Sequence, residues 1–231
     1  MKLFAIADTH LGQAVDKPMD VFGPAWERHT ERLQEQWRAT VGEDDTVLVA
    51  GDISWGMSLE EALVDLRLIA DLPGRKILLK GNHDYWWTSK SKVEKVLPES
   101  MTLLQNNAVD LGSGLGVVGT RGWSAPGAPH STEHDEKIYR REVDRLRLSI
   151  EAAGDRFETL VAMLHFPPAY EGFGDTEFVP LLEAAGVRAC VFGHLHGSDH
   201  RFALQGERRG VHYHFVAADA TGFQPREIAL S

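Results

Sequence analysis

Short runs of apolar and β-branched residues alternate along the chain with longer stretches in which apolar side chains recur every three or four positions. That alternation predicts an α/β domain of strands interleaved with helices. Eight runs are expected to be strands: Lys2–Ala7, Thr46–Ala50, Arg75–Lys80, Leu115–Thr120, Thr159–Leu164, Arg188–Phe192, Val211–Ala217 and Arg226–Leu230. Most are apolar almost throughout, as strands covered on both faces must be. Helical spacing appears in Trp26, Thr30, Leu33 and Trp37 after Pro24, in Leu59, Ala62, Leu63, Leu66, Ile69 and Ala70, and in Tyr139, Val143, Leu146 and Ile150. Ser58 with Glu61 three residues on predicts a capping box for the second of these, and Pro73-Gly74 its end. Gly122–Asp135, with Pro126, Gly127, Pro129, His130 and His134, reads as a long exposed loop. No repeat, charge block or flexible linker divides the chain, so residues 1–231 are read as a single domain.

Composition narrows the class. With 43% apolar and 25% charged residues, the chain falls outside disordered and low-complexity proteins. Its 24 Lys and Arg against 34 Asp and Glu leave a formal charge of −10, which argues against duplex nucleic acid as a partner, because such binding draws on cationic contacts to phosphates. Cys190 is the single cysteine, so neither an intramolecular disulfide nor a thiolate metal cluster is available. It is expected to serve as a small buried hydrophobe. The N-terminal apolar run is interrupted by Asp8 and is too short for a signal peptide. No stretch approaches the roughly 20 apolar residues that span a bilayer. The expected setting is cytoplasmic, without a membrane.

The chemistry follows the strands. Asp8-Thr9-His10 comes after the first, Gly51-Asp52 after the second, Gly81-Asn82-His83-Asp84 after the third, and His165 and Gly193-His194-Leu195-His196 after two later ones. In parallel sheets the carboxyl ends share one edge, so residues far apart in sequence converge there. Five of the eleven histidines fall in this set. The i, i+2 spacing in Asp8-x-His10 and His194-x-His196 lets paired side chains point one way from an extended backbone, and the glycines permit crowded turns. Imidazoles, carboxylates and an amide oxygen without thiolate suit Mn, Fe, Zn, Co or Ni. Seven candidate ligands exceed the needs of one ion and suffice for two sharing a carboxylate, an arrangement suited to attack on phosphorus.

These five blocks, in this order over residues 8–196, resemble the signature of the calcineurin-like metallophosphoesterase superfamily. The resemblance implies a four-layer α/β/β/α sandwich. It implies one metal on Asp8, His10, Asp52 and His196, and a second on Asp52, Asn82, His165 and His194, Asp52 bridging. Two divalent ions, Mn foremost, would share a hydroxide that attacks phosphorus. His83 would act at the leaving-group oxygen, with Asp84 orienting its imidazole.

Departures from the pattern separate branches of the superfamily. The protein phosphatases carry an arginine in the second block and Glu after the third-block His; here Gly51-Asp52-Ile53-Ser54-Trp55-Gly56 has no arginine and the third block ends in Asp84. The lipid-A-pathway hydrolases usually carry Arg where this chain has His83. The repair nucleases add a capping region, for which the 35 residues after His196 are too few. What remains is similar to small bacterial predicted phosphohydrolases, in which sequences like Gly119-Thr120-Arg121-Gly122-Trp123 and Leu164-His165-Phe166-Pro167-Pro168 recur. The expected activity is hydrolysis of a small-molecule or nucleotide phosphodiester, with a phosphomonoesterase as the alternative. A non-catalytic metal-binding scaffold is the reading from another class. Arg121 is a candidate phosphate contact, balanced against a structural ion pair. Trp86 and Trp123 are candidates for an aromatic substrate wall, balanced against rim packing. A homo-oligomer is compatible with the sequence.

Overall fold

A computed structural model describes residues 1–127, 132–172 and 174–230, in which eleven strands form two sheets. The first contains β1 (Leu3–Ile6), β2 (Thr46–Ala50), β3 (Arg75–Leu79), β4 (Met101–Leu104) and β11 (Arg226–Glu227), in the order β11-β1-β2-β3-β4. Its three pairings among β1, β2, β3 and β4 are parallel, and β11 joins β1 antiparallel at the edge. The second contains β5 (Val109–Gly112), β6 (Leu115–Thr120), β7 (Thr159–Leu164), β8 (Val187–Phe192), β9 (Gly206–Arg208) and β10 (Val211–Phe215), in the order β5-β6-β7-β8-β10-β9. There β6, β7, β8 and β10 are parallel, while β5 and β9 close the edges as antiparallel hairpin strands.

The strict period of two along each strand sorts side chains into three cores. Phe4, Ile6, Val47 and Val49 face outward onto a core with Leu33 and Trp37 of α1 (His29–Thr40), Leu66 and Ile69 of α2 (Leu59–Ala70) and Val93 of the short α3 (Lys90–Glu94). Val118, Ala162, Leu164, Cys190 and Phe192 face the opposite way, onto Tyr139, Val143 and Leu146 of α4 (Glu133–Ala153) and Phe178 and Leu182 of α5 (Phe178–Ala184). Between the sheets lie Leu3, Ala5, Leu48, Ala50, Val117, Val161, Met163, Ala189 and Val191. Three apolar interfaces make four layers, helix, sheet, sheet, helix. Both faces of each sheet are covered, which is why the strands read as continuous apolar runs.

Two local expectations are corrected. Trp26 is not on the first helix: it ends a short 3-10 turn, Pro24–Trp26, and the left-handed Arg28 (φ 50°) separates that turn from the start of α1. The predicted loop ends earlier than Asp135, because Thr132 caps α4 in a capping box with Asp135 and places His134 in the first helical turn. Pro129 and His130 lie outside the described residues. The capping box of α2 forms as expected, Ser58 accepting from the Glu61 amide and Glu61 from the Ser58 amide. Its far end is held by a side chain that the strand pattern concealed: fully buried Lys76 of β3 donates from its ammonium to the Ala70 and Leu72 carbonyls. Among the described residues no helix is long and apolar enough to cross a membrane.

Candidate metal centre

At the edge where the parallel strands end, the backbone ties the blocks together before any side chain is considered. The Asp8 amide donates to the Gly51 carbonyl (2.9 Å) and the His10 amide to the Asp52 carbonyl (3.0 Å). Ala7 pairs with Ala217 across from the other sheet, its amide donating to the Val216 carbonyl at 2.8 Å. Asp8 (φ 59°), His10 (44°), Asp52 (52°) and His194 (75°) all take left-handed conformations, four of the nine described non-glycine residues with positive φ. Such a conformation costs about 1–2 kcal/mol for an L residue, and it persists where the surroundings over-determine it. The glycines act by absence of bulk: a Cβ on Gly81 would lie 2.1 Å from Asp52 Oδ1, and one on Gly193 would lie 2.1 Å from Asp8 Oδ2.

Each carboxylate has one oxygen anchored and one bare. Asp8 Oδ2 accepts the His194 amide at 2.9 Å and Asp52 Oδ1 accepts the His83 amide at 2.8 Å. Asp8 Oδ1 and Asp52 Oδ2 are buried without a hydrogen-bond partner. Imidazoles surround them. Asp52 Oδ2 lies 3.4 Å from His165 Nε2, 3.8 Å from His10 Nε2 and 4.0 Å from His83 Nε2. Asp8 Oδ1 lies 3.8 Å from both His196 Nε2 and His165 Nδ1. The ring of His165 donates from Nδ1 to the Ala50 carbonyl (3.0 Å), which leaves Nε2 as an acceptor 2.7 Å from Asn82 Oδ1. Two acceptors that close call for a proton or a cation between them.

Among the described residues three groups approach closely enough to hold an ion: His196, His200 and Asp219 form one to the side, and two lie within this cluster, Asp8 with His10 and His196, and Asp8 with Asp52 and His165. Asp8 belongs to both, whereas the sequence resemblance made Asp52 the shared ligand. His194 stands beside the second group, its ring centroid 5.1 Å from that of His165 and 3.8 Å from that of Phe166. Burial raises the Asp8 carboxyl to about 7, against the pull of His165 and His196. Burial also opposes ionisation of Asp52, but His165, His10 and His83 together hold its carboxyl well below the ordinary range. His165, despite burial, is raised to about 9 by Asp52 and Asp8, while burial lowers His10 to about 3. The cluster as it stands therefore shares protons that a divalent cation would replace.

The expected partnership of Asp84 with His83 is not what the structure builds. Asp84 Oδ2 accepts the amides of Asp52 (3.0 Å) and Gly81 (2.7 Å), and Oδ1 those of Ile53 (2.8 Å) and Ser54 (3.2 Å) and the Trp86 indole N–H (3.0 Å). With five donors satisfied, it staples the turn after β2 to the turn after β3, and burial next to Asp52 raises its pKa to about 6. The His83 ring instead leans on Trp55 (centroids 4.8 Å), with the Tyr85 hydroxyl 3.5 Å from Nδ1. Burial lowers its pKa. Trp86 is 1% exposed, so it offers a substrate no surface. Trp123 is half-buried, bonded to Asp135 through its N–H (3.0 Å) and packed on Phe166 (4.9 Å). Arg121 lies 4.4 Å above the Trp123 ring and donates to Glu142 at 3.1 Å.

Asp219 escaped the sequence reading. Its carboxylate meets His196 Nδ1 at 3.1 Å and His200 Nε2 at 3.0 Å. It follows the end of β10 on the same sheet edge, a signal the motif blocks overshadowed. The Trp55 ring stacks on His10 (4.8 Å, 19°), and the Lys17 ammonium sits 3.3 Å from its centroid.

Fold and site define a two-sheet α/β sandwich that gathers histidines and carboxylates, suited to a divalent metal, at the carboxyl edge of its strands. Residues 1–198 match the calcineurin-like phosphoesterase family, and the chain belongs to it. Gene 66 protein of Mycobacterium phage L5 is 40% identical over 78 residues, 34% of this chain and 37% of that protein; gene 66 protein of phage D29 is 40% identical over 79 residues, 34% and 38%. The chain thus matches little more than a third of the length of these curated relatives. Among solved structures, phosphopantetheinyl hydrolase (PptH) from Mycobacterium tuberculosis superposes with a TM-score of 0.61 at 15% identity, covering 98% of this chain and 95% of that one. A putative 5'-nucleotidase from Staphylococcus aureus does so with a TM-score of 0.52 at 14% identity, covering 91% and 48%.

Proposed function

We propose that the chain is a metal-dependent phosphoester hydrolase with a dinuclear centre. The observation that carries this is the pair of buried, unpartnered carboxylate oxygens, Asp8 Oδ1 and Asp52 Oδ2, each facing imidazole nitrogens within 4.0 Å. Asp8, His10, Asp52 and His196 would hold one divalent ion, and Asp52, Asn82, His165 and His194 the second. Asp52 Oδ2, central among three imidazoles, supports its place as the bridge. When bound, the ions supply a water of near-neutral pKa and offset the charge of the phosphoryl oxygens. Mn is the expected metal. His83, the most accessible imidazole facing Asp52, would donate toward the leaving oxygen. Asp84 would act through the turn it staples.

Phosphodiesters are the expected substrates, since the metal-facing side chains are imidazoles, carboxylates and an amide, without a guanidinium to clamp a dianion. A phosphomonoesterase remains the alternative within the class. Asp52→Ala tests the core of the reading: metal analysis of the Mn-loaded protein should fall from two ions per chain to fewer than one, and hydrolysis across aryl monoesters, aryl diesters and cyclic nucleotides should vanish. Retained turnover would remove Asp52 from the bridge.

A further inference from the structure

A second group of charged side chains gathers beside the metal cluster and shares no residue with it. At the ends of β3 and β6, Lys80, Thr120 and Arg121 line, with Glu142 and Arg145 of α4, a cavity of about 210 Å³. That volume is below the roughly 300–1,000 Å³ that encloses a drug-sized ligand, so it suits a small ion or the end of a larger molecule.

The charges in this cavity do not balance. Glu142 is fully buried and serves everything around it: Oε2 accepts the Thr120 hydroxyl at 2.6 Å, and Oε1 accepts Arg121 Nη2 at 3.1 Å and Arg145 Nη1 at 2.6 Å. One carboxylate therefore answers two guanidiniums. Arg141, which also lines the cavity, and the Lys80 ammonium add two further positive charges, and the ammonium's one hydrogen-bond partner among the described residues is the Trp87 carbonyl at 2.6 Å. Arg121 Nε is buried with no partner. Partly buried cations with unused donors are stabilised by an anion that supplies both charge and acceptors.

We propose that this cavity is an oxyanion site, taking a tetrahedral phosphate-like group between Lys80, Arg121 and Arg145. The group comes either from a phosphoryl remote from the scissile bond of a substrate or from free inorganic phosphate. The site adjoins the metal centre through the backbone: Lys80 precedes Gly81-Asn82, and the Arg121 carbonyl accepts the amides of His165 (3.1 Å) and Phe166 (2.9 Å). Its existence does not rest on the metals.

Crystals of the Mn-loaded full chain soaked in tungstate test it by anomalous scattering. A tungsten peak is expected between Lys80, Arg121 and Arg145, and it should be lost in Lys80→Met and in Arg145→Gln while any peak at the metal cluster persists as the control for intact folding. An empty cavity in the unsubstituted protein, or undiminished peaks in both variants, overturns the proposal. A cavity peak without a metal-site peak sustains it while counting against the dinuclear reading. Kinetics of Arg145→Gln then separate the sources. If the occupant is a remote phosphoryl, KM for a substrate carrying two phosphoryl groups rises about tenfold relative to KM for its single-phosphoryl counterpart, whereas an unchanged ratio assigns the site to free phosphate.

Discussion

The bare oxygens of Asp8 and Asp52 and the ring of His83 are where single substitutions report most directly. His83 faces Asp52 Oδ2 at 4.0 Å and is 37% exposed, so of the imidazoles facing Asp52 it is the one with an open side; His196, comparably exposed beside Asp8, has its other ring nitrogen tied to Asp219. His83→Ala is expected to slow turnover of substrates with poor leaving groups by about 10²- to 10⁴-fold, with much smaller losses on aryl esters and with metal content unchanged. Equal losses on both substrate types, followed by leaving-group variation of the rate, would remove it from the leaving-group side. Asp219 works one step further back. By accepting from His196 Nδ1 it fixes which nitrogen faces Asp8, so Asp219→Ala should weaken metal binding about 10- to 100-fold in a Mn titration. Unaltered affinity would reduce the contact to packing. The ligand types and their spacing were legible in the sequence because motif residues lie next to strand ends. The role of Asp84 was not, since adjacency to His83 says nothing about which of several amides a carboxylate will reach.

Among the elements, the strand-to-turn junctions are the most tightly built. The turn after β3 approaches Asp52 so closely that Gly81→Ala sets a methyl 2.1 Å from Asp52 Oδ1 and 2.2 Å from its amide nitrogen. The nitrogen is backbone and Oδ1 is held by the His83 amide, so the variant is expected to shift Asp52 and to lose metal and activity together, read by metal analysis beside circular dichroism showing the fold retained. Normal metal content in Gly81→Ala would show that the turn relaxes. The long apolar strands and the capped α2 were visible because burial on both faces and the Ser58-Glu61 box leave local marks. The strands Met101–Leu104, Val109–Gly112 and Gly206–Arg208 and the helix Phe178–Ala184 were missed. They are short, and the edge strands owe their structure to pairing with a neighbour rather than to a pattern of their own.

For the molecule as a whole, the proton inventory of the centre couples stability to pH. In metal-stripped protein His165 is raised to about 9 and Asp8 to about 7; above about pH 7, where the lowered His10, His83, His194 and His214 have largely lost their protons in the unfolded chain as well, the folded chain binds more protons than the unfolded one. Stability then falls as pH rises. Between about pH 7 and 8 the thermal midpoint of the metal-free protein should drop, while that of the Mn-loaded protein holds or climbs, because a cation has replaced those protons. Calorimetry of the two forms at several pH values checks this; parallel curves would mean that the cluster does not exchange protons for metal. The window ends near pH 8, where buried Lys76, lowered to about 8, begins to contribute the opposite slope.

The amino-acid order by itself determined the α/β class, the strand ends that carry chemistry and the ligand types, since hydrophobic period and residue spacing are local properties written along the chain. Only the tertiary structure decided that Asp8 and Asp52 each leave one oxygen bare, that Asp84 staples two turns, that Trp86 is sealed in the core, and that Arg121 and Arg145 share one carboxylate in a cavity that Lys80 also lines. Those outcomes depend on which distant segments are pressed together when two sheets close on a common core, and a contact of that kind has no counterpart in the neighbours along the backbone.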